Sequence, residues 1–101
     1  MSIYDEIENL MYEFDKLTLK EEKEDFYVTH KKYIEKIIRK THIFRVDIVK
    51  TDCKNGDCGF MTKIVLPNKI VKNHVAYKDR GTCIMSVLYS IYQKTPELVY
   101  E

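Results

Sequence analysis

The most informative segment of the chain is FRVDIVKTDCKNGDCGFMTKIVL, residues 44–66. Apolar and polar residues alternate on both sides of an Asn-Gly pair, a pattern typical of two half-buried strands joined by a tight turn. Phe44, Val46 and Ile48 share one face of the first strand, because successive side chains of a strand point to opposite faces. The segment therefore predicts an antiparallel β-hairpin.

Two registers are open to this hairpin. A two-residue loop of Asn55 and Gly56 would place Cys53 opposite Cys58, but it would align apolar residues of one strand with polar residues of the other. A three-residue loop, with Lys54 added and Gly56 in a left-handed bulge position, matches apolar with apolar and Asp with Lys. We predict the second register, since a slip of one residue would send every side chain to the wrong face. The predicted pairs are Phe44–Leu66, Val46–Ile64, Ile48–Thr62, Asp47–Lys63 and Val49–Met61.

The cysteines of this loop do not predict a metal or redox site. In the favoured register Cys53 and Cys58 point to opposite sides of the sheet. Together with one histidine they would still fall short of the four ligands of a structural zinc site. We therefore expect no metal and no cofactor. The odd total of three cysteines is not that of a disulfide framework, so a reducing cytoplasm is the expected location.

Helices are predicted on both sides of the strands. An apolar stripe beginning at Ile3 predicts a helix over about residues 3–16, capped by Ser2. A Thr18-x-x-Glu21 capping box predicts a second helix that runs to about His42. A less regular third strand is expected over residues 69–78, after a turn at Pro67-Asn68, and a last helix over about residues 82–94. The 101 residues then form a single α+β domain, residues 1–101, with an N-terminal helical hairpin, a three-stranded antiparallel sheet and a C-terminal helix, in the order α-α-β-β-β-α.

Charge is distributed unevenly along the chain. Residues 1–27 carry nine acids and three lysines, whereas residues 28–54 carry eight basic residues and three acids. Such asymmetry can produce one acidic and one basic face, although acidic helix starts and basic helix ends also complement the helix dipole. Candidates for an acidic partner-binding face are Glu13, Asp15, Glu21, Glu22, Glu24 and Asp25.

Catalysis has one weak candidate in this sequence. Cys83 follows Arg80-Gly81-Thr82 near the start of the last helix, a location that lowers a thiol pKa, and His74 could act as its base. A small buried hydrophobic residue is the favoured interpretation of Cys83. Gly-rich phosphate loops, HExxH and GxSxG are absent from the sequence, and we expect that the protein is not an enzyme. No stretch approaches the ~20 apolar residues of a membrane span, and a membrane partner is not expected.

Nucleic acid is the alternative partner. From the second helix onward the predicted order α-β-β-β-α resembles that of a double-stranded-RNA-binding domain. Such modules touch successive grooves with helix ends and a hairpin. The resemblance implies a role for Lys54 on the hairpin and for Lys78 and Arg80 before the last helix. The lysine-rich helix start of that family is replaced here by KDRGTC, residues 78–83.

The sequence favours a binding protein. Eight tyrosines suit an interface, because their rings bury apolar area while keeping a polar tip. We expect a small protein-binding module, an inhibitor or adaptor of the phage or mobile-element type, whose acidic helical face occupies the basic groove of a nucleic-acid-handling or defence protein. The last helix, with Met85, Tyr89 and Tyr92 beside its inward stripe, is also expected to mediate homodimerisation.

Overall fold

Two helices, three strands and a final helix follow one another along the chain, which confirms the predicted order. The structure is a computed structural model that describes residues 2–51, 59–73, 75–96 and 98. In this part of the chain, no helix combines the length and apolar character needed to cross a bilayer. The elements are α1 (Ile3–Asp15), α2 (Lys20–Ile38), β1 (Arg45–Lys50), β2 (Phe60–Val65), β3 (Ile70–Lys72) and α3 (Arg80–Tyr92).

The hairpin of β1 and β2 has the predicted register, except that the pairing begins at Arg45 and does not include the predicted pair of Phe44 with Leu66. Val46 lies opposite Ile64, Asp47 opposite Lys63, and the pairing continues in step toward the loop. It reaches Thr51, whose backbone N–H donates to the Gly59 carbonyl at 2.8 Å. Matched cross-strand pairs therefore set the register, as the alternation in the sequence indicated. Cys53, Lys54 and Cys58 lie outside the described residues, so the predictions made for them stay predictions.

The third strand is shorter than predicted. The turn at Pro67-Asn68 is present, with the Leu66 N–H donating to the Lys69 carbonyl at 2.9 Å, but regular pairing with β2 stops at Lys72. Phe60 then pairs with Tyr77, two residues farther along than the β2–β3 register would place its partner. The Asn73 side chain accepts from the Val75 N–H at 3.0 Å, a local turn that competes with the strand.

The ends of the helices depart from the predictions by a few residues. Ser2 caps α1 as expected, its hydroxyl accepting from the Asp5 N–H at 3.3 Å. At α2 the capping position is Leu19 and not Thr18, and the carboxylate of Glu22 accepts from the Leu19 N–H at 3.0 Å. Leucine has no acceptor, so only half of a capping box forms here.

Helix α2 ends at Ile38, before the predicted His42, and is followed closely by Thr41. The buried hydroxyl of Thr41 donates to the Ile38 carbonyl at 2.6 Å and accepts from the Ile43 N–H at 3.1 Å, which turns the chain toward β1. Asp79 likewise starts α3 two residues earlier than expected, because its carboxylate accepts from the Thr82 N–H at 2.6 Å. Short polar side chains that bond to nearby backbone thus place both boundaries.

Helix α3 lies at the centre of the molecule, in contact with α1, α2 and the sheet. Its buried side chains include Leu88 and Ile91, which are among the least exposed in the chain. Met85 also belongs to this core, and the Tyr92 hydroxyl donates to Glu8 at 2.8 Å. The apolar surface expected to mediate homodimerisation is therefore mostly covered within one chain, and Tyr89 is its exposed remainder.

Thr62 provides a test of this core. Its side chain is 2% exposed and its hydroxyl has no hydrogen-bond partner among the described residues, an arrangement that costs free energy on folding. We expect Thr62→Val, which keeps the shape and removes the hydroxyl, to raise the free energy of unfolding by about 1 kcal/mol.

The matched control is Thr41→Val. The Thr41 hydroxyl is also buried but is fully used, so its loss is expected to destabilise the protein by about 1–2 kcal/mol. Urea denaturation of both variants measures the two effects. A destabilising Thr62→Val would show that the hydroxyl has a role in the core.

Candidate binding surfaces

Five of the six predicted acidic residues face solvent at one end of the helical hairpin. They come from the last turns of α1 and the first turns of α2, on either side of the short connection between the helices. We call this group the acidic surface. Its members are Glu13, Asp15, Glu21, Glu22 and Asp25.

Lysines near the acidic surface lie against aromatic rings. The Lys16 ammonium is 4.3 Å from the centre of the Tyr12 ring, and the Lys23 ammonium is 5.8 Å from that of Phe14. Among the described residues, no cation lies within ion-pair distance of Asp15, Glu21 or Asp25. Their charges are thus not neutralised by direct contacts.

Glu13 and two apolar side chains complete this region. The Nε2 atom of His30 is 3.6 Å from the Glu13 carboxylate, and its Nδ1 atom is 2.9 Å from the Phe26 carbonyl. His30 is therefore a half-buried polar contact between α1 and α2. Tyr12 and Leu19 are 68% and 58% exposed, so the acidic surface also offers apolar area.

Glu24, the sixth predicted acid, is used inside the molecule. One carboxylate oxygen accepts from the Arg80 backbone N–H at 2.7 Å, and the other accepts from Arg80 Nε at 2.9 Å. The Arg80 guanidinium also lies 5.0 Å from the centre of the Tyr27 ring. The structure thus joins one residue from the acidic set to one from the nucleic-acid set. Each provides the hydrogen-bond partner and the opposite charge for the other.

Burial would raise the pKa of Glu24, but the backbone and side-chain hydrogen bonds from Arg80, together with its charge, outweigh that effect. The pKa of Glu24 is consequently below its ordinary value of 4.5. The ionised carboxylate therefore stabilises the folded state above that value, and the contribution is lost as the pH falls through the lowered pKa.

The residues proposed to contact nucleic acid are only partly available in this structure. Lys78 is exposed next to the start of α3. Arg80 is engaged by Glu24 and Tyr27, and Lys54 lies outside the described residues. The geometry therefore leaves Lys78 as the one described, unengaged member of that set.

Cys83 lacks the properties of a nucleophile. Its side chain is fully buried, and burial followed by the charge of Asp79 raises the pKa of its thiol to about 11. A catalytic thiol needs the opposite shift and an open approach. Cys83 is a core residue, while His74, its suggested base, lies outside the described residues. Over the described ranges, no three His, Cys, Asp or Glu side chains are grouped so as to hold a metal ion.

A groove of about 490 Å³ between α2 and β1 was not anticipated from the sequence. One wall is a stripe of α2 in which the lining residues are four positions apart, and the other wall is β1 with Phe44. Ile34, Ile38 and Ile84 supply its apolar lining. The stripe consists of Tyr27, Lys31, Glu35 and Arg39. The four-residue spacing of this stripe is visible in the sequence, but the stripe forms a groove only because β1 lies beside it.

Comparison of the chain with protein-family models, with curated proteins and with solved structures found no match.

The Glu24–Arg80 contact predicts a pH-dependent loss of stability. We expect Glu24→Gln to lower the free energy of unfolding by about 1 kcal/mol at about pH 7 and by less at about pH 3, because the stabilisation from the ionised carboxylate is lost as the pH falls through its lowered pKa. Urea denaturation at both pH values measures the difference. Glu21→Gln is the control, because Glu21 is exposed and has no cation within ion-pair distance among the described residues. An equal loss at both pH values would contradict the role assigned to the charge.

Burial of Cys83 predicts an inert thiol. In a Cys53→Ser, Cys58→Ser background, we expect a disulfide reagent to label the native protein at least about a hundredfold more slowly than the protein in urea. Adding Cys83→Ala to this background removes the last of the three cysteines and gives the background signal of the reagent. Rapid labelling of the native protein would show that the thiol is accessible.

Proposed function

We propose that this chain is a protein-binding module and that its acidic surface binds a basic surface of a partner protein. The proposal is supported by the exposure of the carboxylates and by the positions of the nearby cations. Five of them face solvent where α1 and α2 meet, and the nearby lysine ammoniums of Lys16 and Lys23 lie on aromatic rings. Exposed charges that are not paired internally can attract a partner of opposite charge over several ångströms and orient its approach.

Apolar contacts would add to this attraction. Tyr12 and Leu19 are exposed within the same region, and buried aromatic residues often supply most of the binding energy at the centre of an interface. A basic groove that normally holds phosphates is a suitable partner surface, because carboxylates can occupy the same positions. In this form the protein is an inhibitor or adaptor, of the phage or mobile-element type, acting on a nucleic-acid-handling or defence protein in the cytoplasm.

Charge reversal tests the proposal. Glu13, Glu21 and Asp25 are replaced by Lys, while Glu22 and Glu24 are kept because they bond to the backbone at the starts of α2 and α3. We expect at least about tenfold weaker binding to a partner captured from cells of the source organism, and a strong dependence of wild-type binding on salt. Partners are identified by mass spectrometry and their affinities are then measured with purified proteins.

A matched variant controls for charge reversal as such. Lys32, Lys36 and Lys72 are exposed and lie away from the acidic surface, and all three are replaced by Glu. Circular dichroism of both variants checks that the fold is retained. Partner binding that survives the acidic-surface variant at full strength would rule out this surface as the binding site.

A further inference from the structure

We propose that the groove between α2 and β1 binds an extended acidic segment of a protein partner, which adds to the sheet as a fourth strand beside β1. This inference concerns a different surface from the acidic one and does not depend on it. Three properties of the groove support it: a strand edge that is unpaired among the described residues, two walls of similar length, and an excess of basic side chains.

The edge of β1 has backbone groups available for another strand. β1 is at one end of the sheet, whose order is β1-β2-β3. The Thr51 N–H donates to the carbonyl of its partner Gly59, and such hydrogen-bonded positions alternate along an antiparallel ladder. Arg45, Asp47 and Val49 therefore direct their backbone groups toward β2. Those of the alternate residues, Val46, Ile48 and Lys50, point away from it.

The two walls of the groove have similar lengths. From Tyr27 to Arg39 the α2 stripe spans about 18 Å, since a helix rises ~1.5 Å per residue. The opposite wall, residues 44–48, spans about 16 Å at ~3.3 Å per residue. An added strand of about six residues would contact both walls over their whole length, with alternate side chains directed toward the apolar lining between them.

The side chains lining the groove carry an excess of positive charge. Four are basic and two, Glu35 and Asp47, are acidic. Arg45 pairs with Asp47 at 3.2 Å, and Arg80 pairs with Glu24. Lys31 and Arg39 have no carboxylate within ion-pair distance among the described residues. Their charges are complementary to an acidic ligand.

The spacing of these two cations specifies the ligand further. Lys31 and Arg39 are eight residues apart on α2, a rise of about 12 Å. Residues four apart on one face of a strand are separated by about 13 Å. The ligand therefore places two acidic side chains four residues apart, with an apolar residue midway. That middle side chain would meet Ile34 and Ile38 and avoid the like charge that an acid would meet at Glu35.

Phe44 gives a further reason to expect an occupant. This ring is 66% exposed at the start of β1, where it lines the groove beneath the Arg45 guanidinium. Strand addition gains affinity from backbone hydrogen bonds and specificity from the positions of side chains. An exposed aromatic ring next to an apolar groove and an unpaired strand edge is a typical anchor for this mode of binding.

Selection from a random nine-residue peptide library against the full chain tests the proposal. We expect enrichment of peptides in which two acidic residues flank a central apolar residue, at the spacing derived above. The Lys31→Ala, Arg39→Ala variant should bind a selected peptide about tenfold more weakly. The Lys32→Ala, Lys36→Ala variant should bind it as the wild type does, because neither residue lines the groove.

N-methylation of the peptide backbone distinguishes strand addition from other modes of binding. Methyl groups placed one at a time along a selected peptide should weaken binding at every second position only, by about tenfold, because alternate N–H groups face β1. Sensitivity without this alternation overturns the proposal. So does a library that yields no binding sequence, or a selected peptide whose affinity is unchanged in the Lys31→Ala, Arg39→Ala variant.

Two other occupants give different results. If the groove holds a second copy of the chain, sedimentation will show a dimer that the Lys31→Ala, Arg39→Ala variant lacks. If it holds nucleic acid, duplex RNA will displace selected peptides with a steep dependence on salt. Either result overturns the proposal. The acidic-surface variant should retain full peptide binding, so failure of one proposal can be told from failure of the other.

Discussion

The docking of α3 against the start of α2 is the contact on which the rest of the structure depends. A Cβ atom at Gly81 would overlap the Lys23 carbonyl oxygen and lie 3.0 Å from the Phe14 ring, so only glycine permits this approach. One residue earlier, both the backbone and the side chain of Arg80 bond to Glu24. Since α3 contacts the other two helices, β1 and β2, fixing its first turn positions these elements around it.

The same contact separates the charges of the molecule. Without a partner, Arg80 would add to the basic side chains of the groove and Glu24 would add to the acids at the helical hairpin. Their mutual hydrogen bonds remove one charge from each set and leave Tyr27 beneath the guanidinium. The acidic surface and the groove therefore lie near each other along α2 but present opposite charge to a partner.

Local patterns predicted the hairpin register and the order of elements, because each depends on residues close together in sequence. The burial of Met85 and the contact of Tyr92 with α1 were missed, since both side chains looked like surplus apolar surface in the sequence. Glu24 and Arg80 are 56 residues apart, and no sequence pattern near either residue indicates that the two meet. The acids at the hairpin end were identifiable from sequence, whereas the groove required knowledge of which strand forms the edge of the sheet.

The interruption of β3 makes the two sides of the sheet unequal. Regular pairing there covers three residues, and two extra residues precede the bridge at Tyr77, so this side has no long straight row of backbone groups. Among the described strands, β1 alone forms a continuous six-residue edge. Fibrils grow when each molecule can join one neighbour on either side. A molecule whose described strands offer a continuous edge on one side alone lacks the second attachment point, so strand addition at β1 does not propagate from molecule to molecule.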